Sequence, residues 1–314
     1  ELGTFALLNI PSISTGIAEN WIIEGNPKSA IGLSLVALLI IFTLIIFEKF
    51  SRRKSKRWSE NPASKDSQGW ELKKTRALLA LTISLFPPIF SFGIPCFWVL
   101  LNIDQIQKGL SIELLTLSFR TIGLGFFTAF ITMLFSLIIS LSRRPNKSLF
   151  LGIITNLAGI GYAIPGTVLA LSLISISSSR FNFIAICLLI WGYLVRFLTI
   201  SKGSIDSSLE RISPSLDEAA LGLGEDWLGI IKRIHLPLLQ GPIFVGSLLV
   251  FVDTIKELPI TFILRPFDFD TLSVRIYQYA GDERMVEAIL PAILVMTLGL
   301  IASMTLIPSL EKKN

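Results

Sequence analysis

Ser29–Phe47 carries no charged side chain, and a helix needs roughly 20 such residues to cross the hydrocarbon core of a bilayer. Similar runs occupy about Ala77–Leu101, Thr121–Leu141, Leu149–Ser177, Phe183–Ile200, Pro242–Leu264 and Ala288–Leu306, several of them interrupted by Gly or Pro. Lipid offers no partner to a bare backbone, so each run must close its own hydrogen bonds, as a helix does. The expectation is an all-α polytopic membrane protein with about seven transmembrane helices. Composition agrees: 16% of residues are charged and 52% hydrophobic, whereas a soluble domain carries about a quarter charged residues.

The charges that remain are sorted by loop. Lys49, Arg52, Arg53, Lys54, Lys56, Arg57, Lys65, Lys73, Lys74 and Arg76 lie between the first two runs; Arg143, Arg144 and Lys147 lie between the third and fourth; Lys312 and Lys313 end the chain. If every run spans, these segments share one side, which the positive-inside rule assigns to the cytoplasm. The N-terminus is then outside and the C-terminus inside. The net charge of +5 therefore encodes orientation rather than nucleic-acid binding. Cys96 and Cys187 fall within runs and at no metal-site or disulfide spacing, so they read as buried packing residues.

A repeat underlies the pattern. Glu1-Leu2 aligns with Glu257-Leu258, Leu8 with Leu264, Thr15 with Thr271 and Gly25 with Gly281, at a constant offset (257 − 1 = 271 − 15 = 281 − 25 = 256). In both copies an amphipathic stretch passes through the glycine into one apolar run and then a basic end. Residues 1–57 accordingly read as the tail of a first transmembrane repeat, 58–76 as a Ser/Lys-rich cytoplasmic linker, and 77–314 as a whole six-helix repeat. On that reading the chain is a fragment of a two-repeat protein.

Between the fifth and sixth runs lies a polar island, EAALGLGEDWLGIIKRIHLP, Glu218 to Pro237. Ser215 and Glu218 have capping-box spacing for a helix start. Ala219, Ala220 and Leu223 give a small helical face, and Gly224 suits a left-handed helix end. Glu225 and Asp226 restart a helix where negative charge favours the dipole, and Pro237 stops it before the next run. Two readings are open on these grounds: a helical hairpin lying on the membrane surface, or a knob presented to a cytoplasmic partner.

Glu218-Ala219-Ala220, Gly224 and Ile234-x-Leu236-Pro237 match the EAA-x3-G-x9-I-x-LP signature at every fixed position, and the chain in this respect resembles ABC-importer permeases. Gly161-Tyr162-Ala163-Ile164-Pro165-Gly166-Thr167 is similar to the GYA-x-PGT opening of a span in the ferric-iron type. Lys256-Glu257-Leu258-Pro259, Leu264-Arg265-Pro266-Phe267 and Phe269-Asp270-Thr271-Leu272 resemble its KELP…LRPF-x-FDTL block. The resemblance covers nearly the whole chain and implies a type I permease fold in the bacterial inner membrane. It implies a coupling loop at about 201–240 in which Glu218, Ala219, Ala220, Gly224, Ile234, Leu236 and Pro237 dock a cytoplasmic ATPase subunit. Substrate would arrive on an extracellular or periplasmic binding protein, to which Asn9–Asn26 and Arg265–Arg284 contribute contacts. The implied function is ATP-driven import, for ferric iron first and, in the same mechanism, for sulfate, molybdate, polyamine, thiamine or phosphonate. An ATP-independent secondary carrier is the reading from another class.

Asp253, Lys256, Glu257 and Pro259 place charges and a helix breaker within an apolar run. Such charges face a bundle interior or an aqueous cavity. They read either as a gate or translocation path, or as a structural Lys–acid pair near the outer face. No G-x4-GK[ST] phosphate loop occurs in the sequence, so the chain is not read as an enzyme. It is expected to hold no cofactor, ATP and Mg being bound by the partner subunit. His235, the single histidine, is not read as a metal ligand, and no metal site is expected.

Overall fold

The computed structural model describes residues 2–52, 72–104, 111–145, 148–176 and 182–311. Arg53–Arg57, Lys65, Lys147, Lys312 and Lys313, on which much of the orientation argument rests, lie outside these. Every regular element among the described residues is helical. Six helices are long and apolar enough to cross a membrane: Pro27–Glu48, Thr75–Leu101, Ile112–Ser142, Phe183–Leu209, Trp227–Ile255 and Met285–Leu306. A seventh crossing is available if the pair Leu149–Ala163 and Gly166–Ile176, bent by 113°, counts as one span. The protein is an all-α polytopic membrane protein.

By compactness the chain divides into two units. One comprises Glu1–Leu38 with Ser111–Asn314, the other Leu39–Leu110. The larger holds α1 (Leu2–Leu7), α2 (Ile13–Ile22) and the first part of α3 (Pro27–Arg52). After α4 (Thr75–Leu101), which lies in the smaller unit, it resumes at α5 (Ile112–Ser142), α6 (Leu149–Ala158), α7 (Gly166–Ile176) and α8 (Asn182–Leu209). It ends with α9 (Pro214–Gly222), α10 (Trp227–Ile230), α11 (Leu236–Ile255), α12 (Pro259–Leu264), α13 (Leu272–Gly281) and α14 (Met285–Glu311). The smaller unit is the far half of α3 and α4, where Phe86 and Phe90 stack at 4.4 Å within one helix turn.

α5, α8 and α11 pack against one another as the core of the larger unit. Lipid supplies no hydrophobic drive between helices, so close packing of small residues carries their association. A Cβ on Gly125 of α5 would stand 2.8 Å from the Phe251 ring of α11. Leu189, Tyr193 and Phe197 of α8 and Val250 and Ile255 of α11 are wholly buried between them. Phe119 and Phe130 of α5 point outward and are 75% and 67% exposed, as side chains facing acyl tails would be. Cys96 and Cys187 are both exposed, which corrects the expectation of buried thiols: an apolar run has an outer face, and these residues sit on it.

The 113° bend has a local cause. Ile164 precedes Pro165 and adopts extended backbone (ψ 127°), as a residue before proline is forced to do. The single 3-10 turn Gly161–Ala163 then lies directly on α8: a Cβ on Gly161 would fall 1.8 Å from the Val195 carbonyl oxygen.

Two boundaries differ from expectation. The run Pro242–Leu264 is two helices, α11 ending at Ile255 and α12 starting at Pro259. Nor does Pro237 end a helix. It is the second residue of α11, entered from α10 through a π turn at Ile231–His235. A proline withholds one backbone donor, and the wider turn absorbs the gap by pairing the Leu236 amide with the Ile231 carbonyl.

A shared local plan links the start of the chain with its end. Left-handed Asn9 (φ 57°) and Asp268 (φ 61°) each precede a hydroxyl N-cap, Ser12 and Thr271, and a ten-residue helix, α2 and α13. Left-handed Gly25 and Glu283 then lead into long apolar helices, α3 and α14. The structural offsets are 268 − 9 = 271 − 12 = 259 and 283 − 25 = 258, rather than a constant 256.

Candidate functional site

The polar island folds as two short helices around a glycine. α9 starts at Ser213, whose hydroxyl accepts the Ser215 amide, with Pro214 in the first turn. The cap is therefore Ser213 and not Ser215, since Pro214 has its φ set for a first helical position. At the other end the Glu225 amide reaches the Ala220 carbonyl at 3.1 Å and the Gly224 amide the Leu221 carbonyl at 3.0 Å. Gly224 has φ 89°. This is a Schellman closure, which needs a left-handed residue and so favours glycine. Space around Gly224 is open, with nothing within 4 Å of a built Cβ. Asp226 restarts the chain by accepting the Gly229 amide at 2.8 Å.

Of the signature residues, Glu218, Ala219 and Gly224 are exposed and Ala220 is buried. Ile234 and Leu236 are half-buried in the π turn and the start of α11, and Pro237 is exposed beside them. Leu221, Leu223 and Leu228 add exposed apolar surface to the same knob. A short helix offering small and apolar side chains outward is a surface that another protein's groove can take up.

Beneath the knob lies a charge cluster that the sequence did not single out. Arg144 Nε stands 2.5 Å from Asp217 Oδ2. Its Nη1 donates to the Leu209 carbonyl at 2.9 Å and its Nη2 to the Ile212 carbonyl at 2.8 Å. His235 Nε2 lies 3.1 Å from Asp217 Oδ1, off the direction for an aligned hydrogen bond, and the ring is fully buried 5.7 Å from that of Trp227. Arg144 read as an orientation charge, and Asp217 stood out in no pattern; only the fold brings them together.

A second site joins the two motifs that carry the ferric-type resemblance. A cavity of about 380 Å³ is lined on one side by Tyr162, Pro165 and Gly166 and on the other by Asp253, Glu257 and Pro259, with Arg196 of α8 between them. The chain breaks over Lys256–Leu258, between α11 and α12. Glu257 is buried, and its Oε2 lies 3.5 Å from Arg196 Nε. Arg196 also donates to the Ile164 carbonyl at 3.1 Å and stands over the Tyr162 ring at 5.6 Å. Lys256 pairs instead with Asp253 at 2.8 Å and is 60% exposed. The structure thus shows two pairs: an open Lys256–Asp253 and a buried Arg196–Glu257, the second joining distant elements. Thr167 Oγ1 and Arg196 Nε are buried here without a hydrogen-bond partner among the described residues.

The LRPF-x-FDTL block is an anchor. Asp270 bridges Arg265 and Arg275, and Arg275 also meets Glu113 of α5 at 2.5 Å. Arg120 of α5 donates to the Asp268 carbonyl at 2.8 Å, and Thr121 receives the Leu272 amide at 2.9 Å. Burial, and then the Arg275 charge, pull Arg265 below the usual guanidinium range. Asn9, Ile10, Pro11, Thr15, Phe262 and Tyr277 line a groove of about 500 Å³, so the two segments expected to meet a binding protein do share a surface.

No group of three or more His, Cys, Asp or Glu able to hold a metal occurs among the described residues, and no protein-family model matches the chain. The chain is similar to the Fe(3+)-transport system permease protein FbpB 2 of Haemophilus influenzae, with 26% identity over 301 residues. That alignment covers 92% of this chain and 58% of the relative's length. The relative's name is that of a ferric-iron transport permease, the type that the motifs of this chain resemble.

Proposed function

We propose that this chain is part of the membrane-spanning permease of an ATP-driven, binding-protein-dependent importer in the bacterial inner membrane, with ferric iron as cargo. The observation that carries the reading is the form taken by the EAA-x3-G-x9-I-x-LP pattern. It is a largely exposed helix closed by a left-handed glycine, after which the chain restarts at Trp227 and runs on as one long apolar stretch to Ile255. Such a knob serves as the dock for a cytoplasmic ATPase, which binds ATP and Mg. Closure of the ATPases moves the knob and shifts the spans as rigid bodies, alternating access between the two faces. Substrate arrives on a binding protein at the groove between Asn9–Thr15 and Tyr277. The path inward passes Asp253, Lys256, Glu257 and Pro259, with Arg196 added by its pairing to Glu257.

The dock is tested in the full-length protein by replacing Gly224 with Trp and recovering the ATPase subunit from membranes by pull-down. Recovery should fall; unchanged recovery removes the docking role. Cargo is tested by uptake of radiolabelled ferric iron into liposomes holding the complete transporter. Uptake of sulfate or molybdate in its place would reassign the cargo and leave the mechanism.

A further inference from the structure

We propose that Arg144, Asp217 and His235 form the joint through which movement of α9 reaches the bundle, with Arg144 and Asp217 as positioning residues for transport. The inference rests on the docking role of α9. Little else fastens that helix: Asp217 and Ala220 are its buried residues. Arg144 and Asp217 together form a node near the ends of all three core helices. Arg144 follows the end of α5, His235 stands in the π turn that opens α11, and the Arg144 guanidinium also holds the Leu209 and Ile212 carbonyls at the end of α8. The Arg144–Asp217 pair therefore ties the knob to the ends of α5 and α8, with His235 of the π turn 3.1 Å from the same carboxylate.

The middle of α8 and the far end of α11 reach the charged cavity. Arg196 lies on α8, 13 residues before Leu209, a rise of about 20 Å at 1.5 Å per residue. Glu257 follows the last turn of α11. A rigid helix transmits tilt along its length, so displacing Asp217 changes the Arg196–Glu257 separation. A purely structural cluster has no need of charge, since a matched apolar set is often as stable as a buried ion pair. A joint needs it, because the guanidinium grips Asp217 of α9 and the last carbonyl of α8 directionally.

The test uses the complete transporter in liposomes, measuring ATP hydrolysis and substrate uptake side by side. In the double variant Arg144→Met with Asp217→Leu, the ATPase subunit should still copurify and hydrolyse ATP. Uptake per ATP should fall about tenfold, within the range of coupling between distant sites. Arg144→Lys, which still reaches Asp217, should recover part of the loss. An unchanged ratio with normal assembly would make the cluster structural only. Loss of the ATPase subunit from the double variant would place Asp217 in the dock itself and likewise overturn the joint. Failure of the unaltered protein to bind an ATPase would instead remove the docking role. Should the apolar pair fail to fold, Arg144→Lys and His235→Gln decide: an unchanged ratio in both overturns the proposal.

Discussion

Glu257 and Arg196 stand where lipid would make either charge costly alone. Breaking a buried pair by removing one partner costs about 3–5 kcal/mol, whereas removing both is often neutral. Glu257→Gln and Arg196→Met should each lower the unfolding temperature of the purified protein in detergent, and the double variant should recover most of it. Lys256→Met should change it little, because the Lys256 side chain is 60% exposed. Sequence could find Glu257, an acid in an apolar run before a proline. It could not find Arg196 as its partner, since nothing in the spacing of residues 61 positions apart (257 − 196) says that they meet. The same holds for Asp217: the visible signature draws attention to Glu218, which faces outward, while its neighbour carries the buried contact.

At the scale of elements, hydropathy marked the spanning helices well because their length is set by the bilayer and not by neighbours. Their ends were harder. The start of α9 moved to Ser213 and the run at Pro242–Leu264 proved broken, because caps and breaks depend on which backbone groups find partners. Gly161 tests how tight one crossing is. Its Cβ would overlap the Val195 carbonyl, and a backbone obstacle cannot rotate away. Gly161→Val should destabilise by about 3 kcal/mol or more, at the upper end of overpacking costs, seen as lost yield of folded protein. Gly152, with nothing within 4 Å of a built Cβ, should accept Ala with no comparable loss.

For the whole molecule, the question open to experiment is whether the bent pair is one crossing. If it is, single cysteines at Ser148 and Ile176, placed in a protein with Cys96 and Cys187 replaced, should react with a membrane-impermeant thiol reagent from opposite sides. Labelling from the same side would make the pair a re-entrant loop and leave six crossings. The same assay fixes orientation: a cysteine at Asn26 should label from outside and one at Gly224 only after the membrane is opened. Eight of the fifteen basic residues named for orientation lie outside the described residues, and labelling reads the sidedness directly.

The π turn between the knob and α11 holds one residue more than an α-helical turn. Removing one residue there would leave an ordinary α-helical turn and little rotation, whereas removing one from the regular helix just beyond it would turn everything downstream by about 100° around the helix axis. Gly246 and Val250, now facing the core, would swing toward the acyl chains. Within the nine residues separating Gly224 from Ile234 and the turn that follows, the extra residue of the π turn thus acts as slack. It lets the knob take its seat while the side of α11 that faces its neighbours stays where it is.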